Sequence, residues 1–232
     1  MDWIALLAYL GGTAVTAALF YFVGSRKSRR IYGDDRWIQS KRLYRLAALV
    51  SGSVGILLSV LQSFSLSGLD LFGFATVTLT VMVSSLLVVF AYTDHRYRMA
   101  DRVLLRWGMG MAFLIGGLRL IELQSEPRTV IFLMGILLSF AVMFVPSIGA
   151  SDSRAFVLLF AVGVPTLDML YTYYVFVAGI ALWLLYGIAE VIRTRKFKVS
   201  IPLVPYILLP LTLAPIWLSL SYGIPRIIEV LG

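Results

Sequence analysis

Chemistry in this chain has to come from carboxylates, hydroxyls, Lys and Arg side chains or the backbone. The 232 residues include no cysteine and one histidine, His95. That removes thiol nucleophiles, iron–sulfur clusters and cysteine-based zinc sites, and it leaves no ligand set for a histidine-rich metal centre. No metal and no other cofactor is expected. Two aspartates stand out because each lies beside long apolar runs. Asp94 follows Phe90-Ala91-Tyr92-Thr93, and Asp152 closes Gly149-Ala150-Ser151-Asp152, just after Pro146. Ionisable groups at membrane depth are expensive to keep and are functional candidates by default. Two carboxylates that share a proton cannot both ionise easily, so their titrations split. One then serves as the base that activates water, and the other protonates the carbonyl or leaving amine of a peptide bond. Gly149 lets a second chain approach closely at Asp152. From spacing alone, a proton relay in a transporter reads the same way.

The elements that must position these groups follow from composition. Hydrophobic residues make up 60% of the chain and charged residues 14%, and the mean hydropathy is +0.91. A water-soluble domain is nearer half apolar and a quarter charged, so that class is excluded. About 20 apolar residues are needed for a helix to cross the hydrocarbon core, and the runs here are far longer than the alternating strands of a membrane barrel. The expected fold is an all-α integral membrane bundle of about eight spans, at 3–24, 46–66, 71–93, 103–121, 129–148, 155–169, 171–192 and 203–222. The sixth is short and contains Pro165, so a re-entrant segment is the alternative there. The first has no positive leader and no small-residue cleavage site, and is read as a retained span.

The net charge of +8 would suggest nucleic acid in a soluble protein. Here its placement points to the bilayer instead, and no nucleic-acid partner is expected. Of the 20 Lys and Arg, 17 fall in segments 24–45, 94–106, 149–154 and 193–200. With eight spans these segments share one face, and the positive-inside rule makes that face cytoplasmic, with both termini outside. The expected organisation is an N-terminal helical hairpin (1–70) with the basic loop 24–45, a membrane core (71–222) and a short tail (223–232). A multi-pass protein of the plasma membrane is implied. The basic loop is read as a topology signal that also contacts anionic lipid.

Other polar residues have plainer readings. Asp2, Asp70, Glu122, Glu126, Asp168 and Glu229 are boundary residues, with Glu122 three residues after Arg119. Glu190 stands three before Arg193, a spacing that pairs charges on one helix face. Asp34 and Asp35 rival Asp94, since Tyr32-Gly33-Asp34-Asp35-Arg36-Trp37 echoes Tyr92-Thr93-Asp94-His95-Arg96-Tyr97. Asp101 is a further carboxylate on the same face, and His95 reads as a solvated neighbour of Asp94. Trp37, Trp107, Tyr186 and Tyr222 suit interfacial belts. Gly52, Gly55, Gly110, Gly116 and Gly117 suit close helix packing.

Read together, the motifs resemble the type IV prepilin peptidase family, which includes archaeal preflagellin peptidases. The first is an Asp at a helix end followed by a basic turn, Ala91-Tyr92-Thr93-Asp94-His95-Arg96-Tyr97-Arg98. The second is of the Gly-x-Gly-Asp type, here Gly149-Ala150-Ser151-Asp152-Ser153-Arg154, with Ser151 in place of the second Gly and Arg154 in place of the usual Lys. The third is a basic stretch leading into Ile-Pro-x-x-Pro, here Lys196-Phe197-Lys198-Val199-Ser200-Ile201-Pro202-Leu203-Val204-Pro205. The Ile-Pro common after the first Asp is replaced by Met99-Ala100-Asp101. The resemblance spans roughly 71–222. It implies an aspartic endopeptidase with Asp94 and Asp152 as the catalytic pair, supported by Gly149, Ser151, Arg154, Pro202 and Pro205. It implies a pilin-like or flagellin-like precursor as partner, cut after a basic leader at the cytoplasmic membrane edge. The cysteine-bearing zinc domain of the bifunctional members has no counterpart here. The alternatives are a non-enzymatic membrane protein (a transporter or degenerate relative) and a presenilin-like intramembrane aspartyl protease. The latter differs in its Tyr-Asp and Pro-Ala-Leu motifs.

Overall fold

A computed structural model describes residues 3–33, 40–64, 71–99, 101–122, 169–196, 201–206 and 208–210. Every element among them is an α-helix: α1 (Trp3–Tyr32), α2 (Lys41–Phe64), α3 (Leu71–Tyr97), α4 (Arg102–Glu122) and α5 (Met169–Thr194), followed by helical turns at 204–206 and 208–210. Two of these helices, over Val77–Tyr97 and Val177–Thr194, are long and apolar enough to cross a membrane. The expected spans at 129–148 and nearly all of 155–169 lie outside the described residues, as do the tail 223–232 and most of 203–222. α5 opens at Met169, two residues before the start expected for the seventh span.

The bundle is built around α3, which packs against α1, α2 and α4. Its apolar run is buried on all sides from Val83 to Tyr92, as a helix that is hydrophobic all round requires. On α1 the inward face is Thr13, Ala17, Tyr21, Gly24, Ser25 and Ser28, a spacing of three and four that marks one helical stripe. One core joins Tyr21 of α1, Ala47 and Val50 of α2, Leu86 to Ala91 of α3, Leu104 of α4 and Val204 of the late segment. The opposite faces are apolar and open: Val15 and Leu19 on α1, and Val177, Leu185 and Ile192 on α5. Water would not tolerate so much exposed apolar surface, whereas lipid does.

Several hydroxyls inside the bundle donate to backbone carbonyls of their own helix. The Ser85 hydroxyl donates to the Val81 carbonyl at 2.8 Å, and its oxygen meets the Ser51 hydroxyl of α2 at 2.8 Å. A hydroxyl has one proton, so Ser51 donates to Ser85. Ser85→Ala is expected to lower stability by about 0.6–1.7 kcal/mol, the range for interhelical hydrogen bonds in membranes, and the thermal midpoint in detergent reads this. Gly55 fits the packing role expected of it, with an added Cβ 2.5 Å from the Thr13 Cγ2. Gly52, Gly110 and Gly117 do not, because a Cβ at each meets nothing within 4 Å.

The basic segments are partly helix rather than loop. Arg26, Lys27, Arg29 and Arg30 form the last turns of α1, and Lys41, Arg42 and Arg45 the first turns of α2. Lys and Arg are good helix formers, and cations near a helix C-terminus favour its dipole. Gly33 ends α1 in the left-handed region (φ 68°), its amide donating to the Arg29 carbonyl at 2.8 Å, the αL type of helix stop. Arg98 and Arg195 close α3 and α5 the same way, with φ of 56° and 54° and bonds to the carbonyls of Asp94 and Val191. The Glu190–Arg193 pair forms through two contacts of 3.0 and 2.6 Å.

Candidate functional site

The helix ends that carry the basic residues gather at one end of the bundle. Tyr32, closing α1, stacks on Tyr97, closing α3, with centroids 4.4 Å apart and planes at 5°. Tyr97 also meets Tyr92 edge-on at 6.4 Å. Tyr186 of α5 packs on Tyr206 of the late segment, with centroids 5.2 Å apart.

Asp94 sits among these termini on the last turn of α3. Only 9% of it is exposed. Its Oδ2 accepts a hydrogen bond from the Val204 amide at 3.1 Å, across 110 residues of sequence. The local sequence explains why that donor is available. Pro202 and Pro205 have no N–H, so the amides between them are the donors there. Helix begins at Val204, and amides of a first turn have no partner within their own helix. A carboxylate at such an end is also favoured by the helix dipole. Pro202 is buried and Pro205 half-buried, and Val204 is 3% exposed. Asp94 and the Ile-Pro-x-x-Pro segment are therefore brought together. Val204, whose side chain is inert, is a site residue that motif reading missed; the paired prolines are the signal that would have found it.

Asp152, Gly149, Ser151 and Arg154 lie outside the described residues, as do Asp34 and Asp35. Asp101 is buried, at 5% exposure. Its Oδ1 accepts from the Val103 amide at 2.8 Å, and its carbonyl accepts from the Leu105 amide at 2.9 Å. It is the N-cap of α4. Its other oxygen, Oδ2, is buried with no hydrogen-bond partner among the described residues. Burial first, then the facing Asp101 carboxylate and Tyr97, push the Tyr32 hydroxyl above its ordinary pKa. Asp101→Ala is expected to destabilise α4 by about 0.5–2 kcal/mol through loss of the cap, with Asp101→Ser restoring most of it in thermal unfolding.

His95 is exposed on the last turn of α3. Beside it a groove of about 410 Å³ runs between the start of α2, the end of α3 and the segment around Pro205. Compared with protein-family models, curated proteins and solved structures, the chain matches none of them.

Proposed function

We propose that this protein is a membrane aspartic endopeptidase that removes the basic leader of a pilin-like precursor at the cytoplasmic membrane edge. In this reading the chain is a multi-pass bundle of about eight helices in the plasma membrane, with both termini outside. Asp94 and Asp152 share a proton: one activates water and the other protonates the scissile carbonyl or the leaving amine. Gly149, Ser151 and Arg154 shape the second half of the site, and the precursor's helix lies along the Pro202–Pro205 segment.

The single observation that carries the reading is the bond between Asp94 and the Val204 amide. It joins the first and third motifs of the family pattern at one end of the bundle, among the basic helix ends. The amide fixes one carboxylate oxygen in place.

The same bond also favours a second reading. A carboxylate that only latches the late segment onto α3 needs nothing more than this contact, and the protein would then be a non-enzymatic relative. Co-expression with a panel of pilin-like precursors, in a host lacking its own peptidase, separates the two. The peptidase reading expects a precursor shortened at its leader, with cleavage lost in both Asp94→Asn and Asp152→Asn. An uncut panel removes it.

A further inference from the structure

We propose that residues 201–206 form a strap that shuts the site, with the Val204 amide occupying Asp94 until the backbone of an entering precursor displaces it. The nature of what enters rests on the peptidase reading, whereas the opening of the strap can be measured without it.

In the closed arrangement Asp94 is out of reach of a peptide. It is 9% exposed, and Leu203 and Val204 beside it are 7% and 3% exposed. Its Oδ2 already accepts the Val204 N–H at 3.1 Å. Acid–base catalysis needs the reacting groups within hydrogen-bond reach of the carboxylate, directly or through one water. Part of the cover must therefore move before Asp94 can act. α3 is packed on all sides from Val83 to Tyr92, whereas the strap is held by little.

The reason lies in the sequence of the strap. Pro202 and Pro205 have no N–H to give to a neighbouring element. The Tyr206 amide is spent within the strap, on the Leu203 carbonyl at 3.0 Å. Among the described residues, the backbone of the strap reaches another element only at Asp94. Its hold on α5 is made by side chains. The Tyr206 ring lies on Tyr186 at 5.2 Å, tilted by 37°. Ile201 rests on the bare backbone of Gly187, where an added Cβ would stand 2.8 Å from its Cδ1. Segments with so few backbone bonds open locally without unfolding the rest, as active-site lids do.

Opening has two consequences, and a precursor answers both. A peptide brings amides of its own, so one of them replaces the Val204 N–H and the buried carboxylate keeps a donor. Leu203 and Val204 leave the core they share with α3, and the apolar helix that follows a precursor's leader covers that surface again. A small polar solute supplies neither, so the strap excludes it while admitting a peptide with an apolar segment.

The test locks the strap. The chain has no cysteine, so Gly187→Cys with Ile201→Cys places the only thiols at two positions already in contact, to be joined as a disulfide. Dicyclohexylcarbodiimide, a lipid-soluble reagent for carboxyl groups, then reads the opening in the full chain in detergent, with peptide mass spectrometry locating the modified residue. Oxidation should abolish modification of Asp94, and reduction should restore it. Asp101, the cap of α4, should react equally in both states. Tyr206→Ala loosens the hold on α5. The worth of an aromatic pair corresponds to about two- to tenfold in an equilibrium, and Asp94 should be modified faster by that factor in this variant. It decides the matter alone if the cysteine pair does not fold, and an unchanged rate there overturns the strap. Equal modification of Asp94 in oxidised and reduced chains also overturns it. So does no modification in either, which makes 201–206 a permanent latch. Lock-dependent modification with an uncut precursor panel keeps the strap and removes the peptidase reading. Precursor cleavage by the oxidised chain removes the strap and keeps the peptidase.

Discussion

Asp94→Asn is expected to leave the chain folded and to stop precursor cleavage. The amide side chain keeps an oxygen where Oδ2 accepts the Val204 N–H at 3.1 Å, so the late segment stays latched to α3. What is lost is a group that can carry a catalytic proton. Positioned acid–base groups contribute about 10²–10⁴-fold to rate, and the precursor's cleavage rate should fall by at least that much. Asp94→Leu differs in kind. It removes the acceptor and leaves a buried N–H unsatisfied at Val204, at a cost of about 1–3 kcal/mol, so both the thermal midpoint and cleavage should fall. Comparing the two variants separates a catalytic carboxylate from a latch. An Asn variant that cuts at the wild-type rate would take Asp94 out of the chemistry.

The second large effect is on packing, where two glycines one turn apart should respond with opposite sign. Alanine is better than glycine within a helix by about 0.8–1.0 kcal/mol. At Gly52 nothing stands within 4 Å of the added Cβ, so Gly52→Ala should raise stability by up to about that amount. At Gly55 the Cβ would come within 2.5 Å of Cγ2 and 2.9 Å of Cβ of Thr13. Thr13 cannot turn aside freely, because its hydroxyl donates to the Leu10 carbonyl at 2.8 Å and its χ1 is stiff. Overpacking of this kind costs about 1–3 kcal/mol, which outweighs the gain in propensity. Gly55→Ala should therefore lower the thermal midpoint, and adding Thr13→Ala should restore much of it. Equal shifts at the two positions would mean that α1 and α2 do not approach as described.

What the sequence reveals about this molecule follows the range of the physics. The apolar run of α3 and its stop at Asp94 are local, and both are legible from hydropathy. The basic ends of α1 and α2 are local too, yet charge density reads as loop when Arg26–Arg30 are good helix formers finished by a left-handed Gly33. Asp101 was weighed as chemistry, while its place directly before α4 makes it a cap. The bond from Val204 to Asp94 is beyond local reading: 110 residues separate the partners, and only the paired prolines mark where an amide is left open. Gly52 and Gly55 look alike in sequence, and only the neighbouring helix distinguishes them.

The central claim is that Asp94 works together with Asp152, and their proximity is its most direct test. The chain contains no cysteine, so Asp94→Cys with Asp152→Cys introduces the only two thiols. In native membranes, a short bifunctional thiol reagent should join them within one molecule, so that a chain nicked between the two positions runs as one band. Pairing Asp34→Cys or Asp101→Cys with Asp152→Cys should give less product. Efficient joining of 94 to 152 is the predicted result. Failure to join them, with either alternative pair joining readily, would contradict the dyad.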